Sequence, residues 1–184
     1  FIFRSSSHTA YLLLYVDDII LTASSDSFLQ HIMSSLNHEF SMTDLCPLHH
    51  FLGINVSRTS STLFLSQRQY LLDLLSRAGM TDCQPCPTPV DVGTKLSADG
   101  EPFSDPTLYR SITGALQYAT LTSPDISYSV QQACLYMHDP RVPHFSHVKR
   151  ILRYLKGTID HGLLLNSSSP TSLTVYSDAD WAGC

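Results

Sequence analysis

The spacing of apolar positions along the first forty residues predicts a hairpin followed by a helix. β-prone runs at residues 11–14 and 19–22 flank two adjacent acids, Asp17 and Asp18, which predicts a hairpin that carries both acids at its tip. Apolar residues then recur at helical spacing, with Ser25 or Asp26 available as the N-cap, at Phe28, Leu29, Ile32, Met33, Leu36 and Phe40. We expect this amphipathic helix to lie on the hairpin.

A second hairpin and a second helix are predicted over the next forty residues. Apolar residues alternate on both sides of the turn "RTSST", at Leu52, Ile54, Val56, Leu63 and Leu65. Ser66 and Gln69 have the spacing of a capping box for a helix over 67–78. Gly79 follows where a left-handed residue ends many helices.

The region after residue 79 has a different composition. Residues 80–106 contain five prolines and little periodicity, which predicts a linker that crosses a domain boundary. Helical spacing resumes at Tyr109, Ile112, Leu116 and Ala119. A second helix is predicted with Ser123 as the cap and Pro124 at its first position, followed by Ile126, Val130, Cys134 and Met137.

A third helix of the second half, over 144–156, is amphipathic and basic. Its apolar face comprises Val148, Ile151, Leu152 and Leu155, and Gly157 closes it. The opposite face carries cations, and the segment supplies Lys149, Arg150, Arg153 and Lys156. Short strands are predicted at 163–165 and 173–177, so the fold class is α+β.

Composition places the chain among globular proteins. Its 184 residues are 43% hydrophobic and 15% charged, enough for one domain or two small ones. No apolar run reaches the roughly 18 residues that span a bilayer, so we expect no membrane association. The chain begins at Phe1 without a targeting signal, and we expect it to be a piece of a longer protein. Five scattered cysteines favour an intracellular, reducing compartment.

Charge is distributed unevenly along the chain. The net charge of −5 argues weakly against a nucleic-acid partner, but residues 141–159 hold five bases and no acid. Such a cationic helix face can follow a phosphate backbone. The alternative is an ordinary solvated helix face.

Two acidic clusters are candidates for metal chemistry. A buried, ionised carboxylate is costly unless it is paired or bound to a cation, and a hairpin tip lets Asp17 and Asp18 reach one ion. Mg²⁺ shares its shell among carboxylates, water and substrate phosphates, which suits phosphoryl transfer. Asp178 and Asp180 share one strand face near the end of the chain. The alternatives are a solvent-exposed turn for the first pair and a solvated edge strand for the second.

The cysteine and histidine pairs give weaker signals. Cys83 and Cys86 form a C-x-x-C, but no second pair follows at zinc spacing, so we expect structural or incidental thiols. The pairs His49–His50 and His144–His147 have no convincing partner ligands in the sequence.

Six blocks in order resemble the reverse transcriptase and early ribonuclease H region of plant copia-type retrotransposon polyproteins. They are "YLLLYVDDIILTA", "FSMTDLCPLHHFLGINV", "LFLSQRQYLLDLLSRAGM", "YRSITGALQYATLTSPDISYSV", "HVKRILRYLKGT" and "YSDADWAGC". The resemblance implies a partial polymerase palm with the start of the thumb over 1–79 and a linker over 80–106. It further implies a helical thumb or connection over 107–157 and the first strands of a ribonuclease H-like domain over 158–184.

The resemblance also implies roles for individual residues. Asp17 and Asp18 belong to the "YxDD" box of the polymerase and bind Mg²⁺, with Tyr15 and Val16 beneath the primer terminus. "FLGINV" resembles the primer grip. Asp178 is the first catalytic and metal-binding carboxylate of ribonuclease H, whereas Asp180 receives no catalytic role. The implied partners are an RNA template, a DNA primer and deoxynucleotides, with no stable protein partner.

Departures from the family pattern lead us to expect that this chain alone is inactive. The family draws a further metal-binding Asp from an upstream strand, and no acid precedes Asp17 here; the later ribonuclease H acids would lie beyond Cys184. Cys46 stands where the family has Gly, which would strain the backbone by about 1 kcal/mol at a positive φ. Two alternatives remain: a non-catalytic nucleic-acid-binding module that uses the basic helix, and an inert retrotransposon relic.

Overall fold

The computed structural model describes residues 1–91, 96–167 and 175, which divide between two units, Phe1–Val56 and Ser57–Cys184. In chain order the elements are β1 (Ile2–Arg4), β2 (Thr9–Tyr15), β3 (Asp18–Ala23), α1 (Asp26–Glu39), β4 (His50–Phe51), β5 (Ile54–Arg58), β6 (Thr62–Ser66), α2 (Arg68–Arg77), α3 (Pro106–Ala119), a 3₁₀ turn (Pro124–Ile126), α4 (Ser127–Cys134), α5 (Val142–Gly157) and β7 (Leu163–Asn166). Antiparallel strands and separate helices confirm the α+β class.

The predicted first hairpin is confirmed. β2 pairs antiparallel with β3, and the pairing of Tyr15 with Asp18 leaves a two-residue turn at Val16 and Asp17. β1 adds a third antiparallel strand on the other side of β2. Helix α1 contacts β3 and begins as predicted, because the Ser25 hydroxyl accepts a hydrogen bond from the Phe28 amide at 3.3 Å.

The two faces of this sheet differ in what covers them. Side chains alternate along a strand, so Ala10 and Leu12 lie on the face of Phe3, whose ring is 5.4 Å from that of Phe28 on α1. Tyr11 and Leu13 point to the opposite face. Exposure is high on both faces near the hairpin tip, where Leu14 keeps 52% and Leu13 keeps 53% of its surface exposed. The apolar residues around the acidic pair therefore do not form a core in this chain.

The segment "FLGINV", whose alternation predicted a single strand before the turn "RTSST", contains a tight hairpin of its own. Phe51 pairs with Ile54, and the residues between them, Leu52 and Gly53, both have positive φ, at 48° and 79°. Leu52 was predicted to continue the alternation of a strand, and that prediction is wrong. A two-residue hairpin loop needs left-handed backbone at its centre, and this requirement outweighs the apolar alternation.

The second unit is built on a helical core. Helices α2, α3, α4 and α5 pack on one another, and α3 and α5 contribute the largest share of buried side chains. The fully buried hydrophobic residues of this core include Leu71, Leu74, Tyr109, Ile112, Leu116, Ile126, Val130, Val148, Ile151, Leu152 and Leu155. The apolar positions predicted for α3 and α5 are thus buried, because each helix meets another helix along its apolar stripe.

The start of α2 differs from the predicted capping box. The N-cap is Gln67, whose side chain makes no cap hydrogen bond, and Ser66 is the last residue of β6. Gln69 instead donates to Asp73 one helical turn later, at 2.9 Å. Gln67 is fully buried and its Oε1 accepts from the Thr122 hydroxyl at 2.8 Å, so a tertiary contact replaces the local cap. Gly79 ends the helix region with φ of 64°, as predicted.

The other predicted helices are present with changed boundaries. The helix expected from Ser123 is a 3₁₀ turn followed by the short α4, and the Ser123 side chain makes no cap bond. Helix α5 begins at Val142, earlier than predicted, since the Arg141 amide donates to Nδ1 of His144 at 2.9 Å. The closing residue Gly157 remains helical.

The last described strand, β7, pairs antiparallel with β6, with Leu163 opposite Leu65. Its approach requires glycine at 162, because a Cβ there would collide with the Leu65 carbonyl oxygen. The strand predicted at 173–177 falls mainly outside the described residues. Within the described part of the chain, no helix has the length and apolar character needed to cross a membrane.

Candidate functional site

The paired acids lie at the tip of the β2–β3 hairpin and are open to solvent. Asp17 occupies the turn and Asp18 is the first residue of β3, and both are exposed. The sequence raised the question of what would compensate these carboxylates if they were buried. Both are exposed to solvent, so no buried partner is needed.

The turn itself is strained. Val16 has φ of 50°, a left-handed value that a β-branched side chain disfavours, and 79% of its surface is exposed. Turns of this length usually place Gly or Asn at left-handed positions. Backbone strain of this kind, on the order of 1–3 kcal/mol, often accompanies functional sites. The two-residue turn accounts for the left-handed backbone of Val16, as it does for that of Leu52.

The candidate metal ligands at this tip are the two carboxylates of Asp17 and Asp18. Among the described residues, no three His, Cys, Asp or Glu side chains are grouped so that they could hold a metal ion. Asp17 and Asp18 supply the hard oxygen ligands that Mg²⁺ prefers, and one or two carboxylates with water and phosphates can complete its shell. The pair therefore fits part of a divalent metal site.

The four candidate phosphate-binding cations are all on α5 but differ in their surroundings. Lys149 is exposed, with Nζ 5.1 Å from the centroid of the Phe145 ring. Arg150 donates to Asp91 at 3.2 Å and to the Thr88 hydroxyl at 2.9 Å. Arg153 donates through Nε to the Gln84 carbonyl at 2.7 Å. The basic face predicted from the sequence is therefore partly occupied by protein groups, which sequence reasoning missed.

The histidines on α5 have structural partners. His144 is fully buried, its Nε2 lies 2.7 Å from the Ser97 carbonyl, and its ring stacks on Tyr136. Nε2 of His147 lies 3.0 Å from both the carbonyl and the hydroxyl oxygen of Ser129. These contacts tie the described parts of the Pro-rich segment and α4 to α5.

The described cysteines are free thiols: Cys46, Cys83, Cys86 and Cys134. Cys86 is held by the backbone of α5, since its amide donates to the Arg153 carbonyl at 3.3 Å. Burial raises the pKa of the Cys134 thiol, which disfavours the reactive thiolate. None of these contacts marks a metal site.

The remaining candidates lie elsewhere. Asp178 and Asp180 fall outside the described residues. The acidic hairpin belongs to the first unit and the basic helix to the second.

Comparison with known proteins assigns the chain to one group. Residues 2–92 match the family described as "Reverse transcriptase (RNA-dependent DNA polymerase)". The chain is 49% identical to an uncharacterized mitochondrial protein of Arabidopsis thaliana, over 95% of this chain and 72% of the relative. It is 45% identical over its whole length to the Retrovirus-related Pol polyprotein from transposon RE1 of Arabidopsis thaliana, and 35% identical over 97% of its length to that from transposon TNT 1-94 of Nicotiana tabacum.

The matches cover nearly all of this chain but a small part of each polyprotein. The chain spans 13% of the RE1 polyprotein and 14% of the TNT 1-94 polyprotein. No solved structure matches the chain significantly.

Proposed function

Because the chain belongs to the reverse transcriptase family of copia-type retrotransposon Pol polyproteins, we propose that in the intact polyprotein it forms part of an RNA-directed DNA polymerase. The observation that carries the proposal is the exposed pair Asp17 and Asp18 at a hairpin tip, inside the region that matches the family. Membership of this family favours a polymerase segment over the alternatives of a binding module or an inert relic.

The chemistry follows from the position of the acids. The family uses divalent metal, and we propose Mg²⁺ at this tip, with Asp17 and Asp18 as oxygen ligands. Bound Mg²⁺ would supply Lewis-acid activation of the primer 3′-hydroxyl and stabilise charge on the departing pyrophosphate. Tyr15 and Val16, which precede the acids and are exposed, would contact the primer terminus. The substrates would be a primed RNA template and deoxynucleotides.

The division into domains is also a proposal. Residues 1–79 would form the palm and the start of the thumb, 107–157 the thumb or connection, and 158–184 the start of a ribonuclease H-like domain with Asp178 as a metal ligand. The three-stranded sheet with α1 supports a palm segment, and the packed helices α3 to α5 support a helical thumb or connection. The Pro-rich segment 80–106 would join them.

The proposal is tested in a full-length polyprotein that contains this segment. Replacing Asp17 by Asn keeps the size of the side chain and removes the charge that binds the ion, so primer extension on an RNA template should fall by roughly a hundredfold or more. Asp26→Asn, an exposed acid on α1 in the same unit, is the matched control and should retain activity. Equal activity of Asp17→Asn and the control would overturn the assignment.

The isolated chain gives a second test. With Mg²⁺, a primed RNA template and deoxynucleotides, we expect no incorporation, since the two carboxylates are only part of a metal site. Clear primer extension by the pure 184-residue chain would show that the site is complete without further segments.

A further inference from the structure

One stretch of the Pro-rich segment, residues 82–91, runs along α5, and we call it the strap. The Cys86 amide donates to the Arg153 carbonyl, and the Arg153 guanidinium donates back to the Gln84 carbonyl at 2.7 Å. At Gly157 a Cβ would lie 3.1 Å from the side chain of Pro85, so the strap approaches the helix closely there. These contacts place the strap directly over part of the polar face of α5.

Arg150 is the second anchor of the strap. It donates to Asp91 at 3.2 Å and to Thr88 at 2.9 Å, and its side chain is only 26% exposed. The Cys86 thiol donates to the Arg150 carbonyl at 3.4 Å. The guanidinium of Arg150 thus donates to a carboxylate and a hydroxyl of the strap, and the backbone of Arg150 accepts from the Cys86 thiol, so both terminal nitrogens of Arg150 are engaged by the strap.

The strap and α5 carry opposite charges, and the ion pair of Asp91 with Arg150 joins them. The strap contains Asp82 and Asp91 and no base, whereas α5 contains four Lys and Arg residues and no acid. The cations fall into two pairs around the helix. Arg150 and Arg153 lie under the strap, while Lys149 and Lys156 make no hydrogen bond or ion pair with any described residue.

We propose that the strap is an intramolecular acidic cover that withholds Arg150 and Arg153 from phosphates, and that α5 binds a nucleic-acid backbone through Lys149 and Lys156. The strap presents oxygen acceptors to Arg150 and Arg153, and a phosphate would offer these two side chains the same kind of acceptor. Loss of the Asp91 contact therefore adds a phosphate-binding cation to the surface. The proposal goes beyond polymerase chemistry and does not depend on Asp17 or Asp18.

The test measures binding of the full chain to a short, fluorescently labelled single strand of DNA over a range of salt concentrations, without metal or nucleotide. For single strands log K falls as log salt concentration rises, and each phosphate contact adds about 0.7 to the magnitude of this decrease, here called the slope. Lys149→Ala with Lys156→Ala should lower the slope by about 1.4. Arg150→Gln should not lower the slope, because Arg150 binds no phosphate in the unmodified chain, and Asp91→Asn, which frees Arg150, should raise it by up to about 0.7.

A second readout reports the strap itself. Alkylation of Cys86, measured by mass spectrometry relative to the exposed Cys46, should accelerate in Arg150→Gln and Asp91→Asn because both variants loosen the strap. Arg77→Gln is the matched control, since Arg77 donates to Ser111 and has no contact with the strap. This variant should change neither the slope nor the labelling of Cys86.

The outcomes separate cleanly. A slope that falls with the lysine variants alone, together with faster Cys86 labelling in the strap variants, supports the proposal. A slope that falls equally in Arg150→Gln would overturn it, because Arg150 would then bind phosphates directly. Absence of binding by the unmodified chain at low salt would also overturn it, and would leave the polymerase proposal standing, since that rests on Asp17.

Discussion

The two units of the chain bury their apolar residues to very different extents. In Phe1–Val56, every residue of which is described, the buried hydrophobic side chains are those of Ala10 and Val56. In the second unit, helix α3 alone buries Tyr109, Ile112 and Leu116 completely. Both units have strong amphipathic patterns, so the pattern alone does not bury a side chain. Burial also requires a second apolar surface within the same unit.

The difference suits a segment that works inside a larger protein. The sheet of the first unit exposes large apolar residues on the face opposite α1, namely Ile2, Tyr11, Leu13 and Tyr15. Contiguous apolar patches of this kind are uncommon on isolated soluble proteins and mark surfaces that are covered in an assembly. The helical unit has its own core and does not show this feature to the same degree.

The largest effect is expected from truncating the helical core. Leu116→Ala removes a fully buried side chain of α3 and should lower the free energy of unfolding by about 2–5 kcal/mol. Chemical denaturation followed by circular dichroism measures the loss. The matched variant in the first unit, Leu13→Ala, should change it by less than about 0.5 kcal/mol because Leu13 is exposed. Equal losses would remove the contrast between the units.

The stability of the helical core in the second unit should depend on pH. Burial raises the pKa of Tyr109 from 10.0 to about 12, and its hydroxyl donates to the Ala133 carbonyl at 2.8 Å. The unfolded chain loses this proton near pH 10, so the stabilisation is complete below pH 10 and is lost as the pH rises to 12, by roughly 2–3 kcal/mol in total.

Tyr109→Phe removes this ionisation and serves as the control. The variant is less stable at neutral pH through the lost hydrogen bond, but its stability should depend less on pH between 10 and 12. The measurement is the denaturation midpoint at several pH values. An unchanged pH dependence in Tyr109→Phe would show that Tyr109 does not carry the effect.

A smaller effect is expected at a strained position of the first unit. Cys46 has φ of 66°, which confirms that a residue with a Cβ occupies a left-handed site there, and Asp44 accepts from its amide at 2.8 Å. Cys46→Gly should stabilise this unit by about 1 kcal/mol. Cys46→Ala removes the thiol but keeps the Cβ, so it should have little effect. Equal stabilisation by both variants would point to the thiol rather than the backbone.

The smallest change in folding energy is expected on the exposed sheet face, where the effect is on association. Leu13→Lys should leave the free energy of unfolding within about 0.5 kcal/mol, yet reduce self-association at high protein concentration. Sedimentation velocity with and without the substitution measures this. If Leu13→Lys unfolds the chain, the face is covered in solution and the contrast between units fails.

Local chemistry was sufficient to predict several elements correctly. The hairpin around Asp17 and Asp18, the N-cap at Ser25 and the left-handed Gly79 all depend on interactions within a few residues of the chain. The same holds for the apolar faces of α3 and α5, since their spacing is a property of one helix. The resemblance to reverse transcriptases also came from the sequence, and the family matches confirm it.

Other features depend on residues that are distant in sequence. The capping box at Ser66 was predicted from spacing, but the contact of Gln67 with Thr122 decides the start of α2. The cations of α5 were predicted as a free basic face, but the strap engages Arg150 and Arg153. A deficit of bases in residues 82–91 was the one sequence signal for this contact.

The sequence by itself determined the family, the α+β class and the acidic hairpin tip. Motif order, apolar period and turn position can each be read directly along the chain. Only the tertiary structure decided which apolar faces are buried and which cations are available. Those outcomes depend on what each surface meets after folding: α3 meets other helices, one face of the β2–β3 sheet meets water, and Arg150 meets Asp91. Such partners lie tens of residues away, where periodicity carries no information.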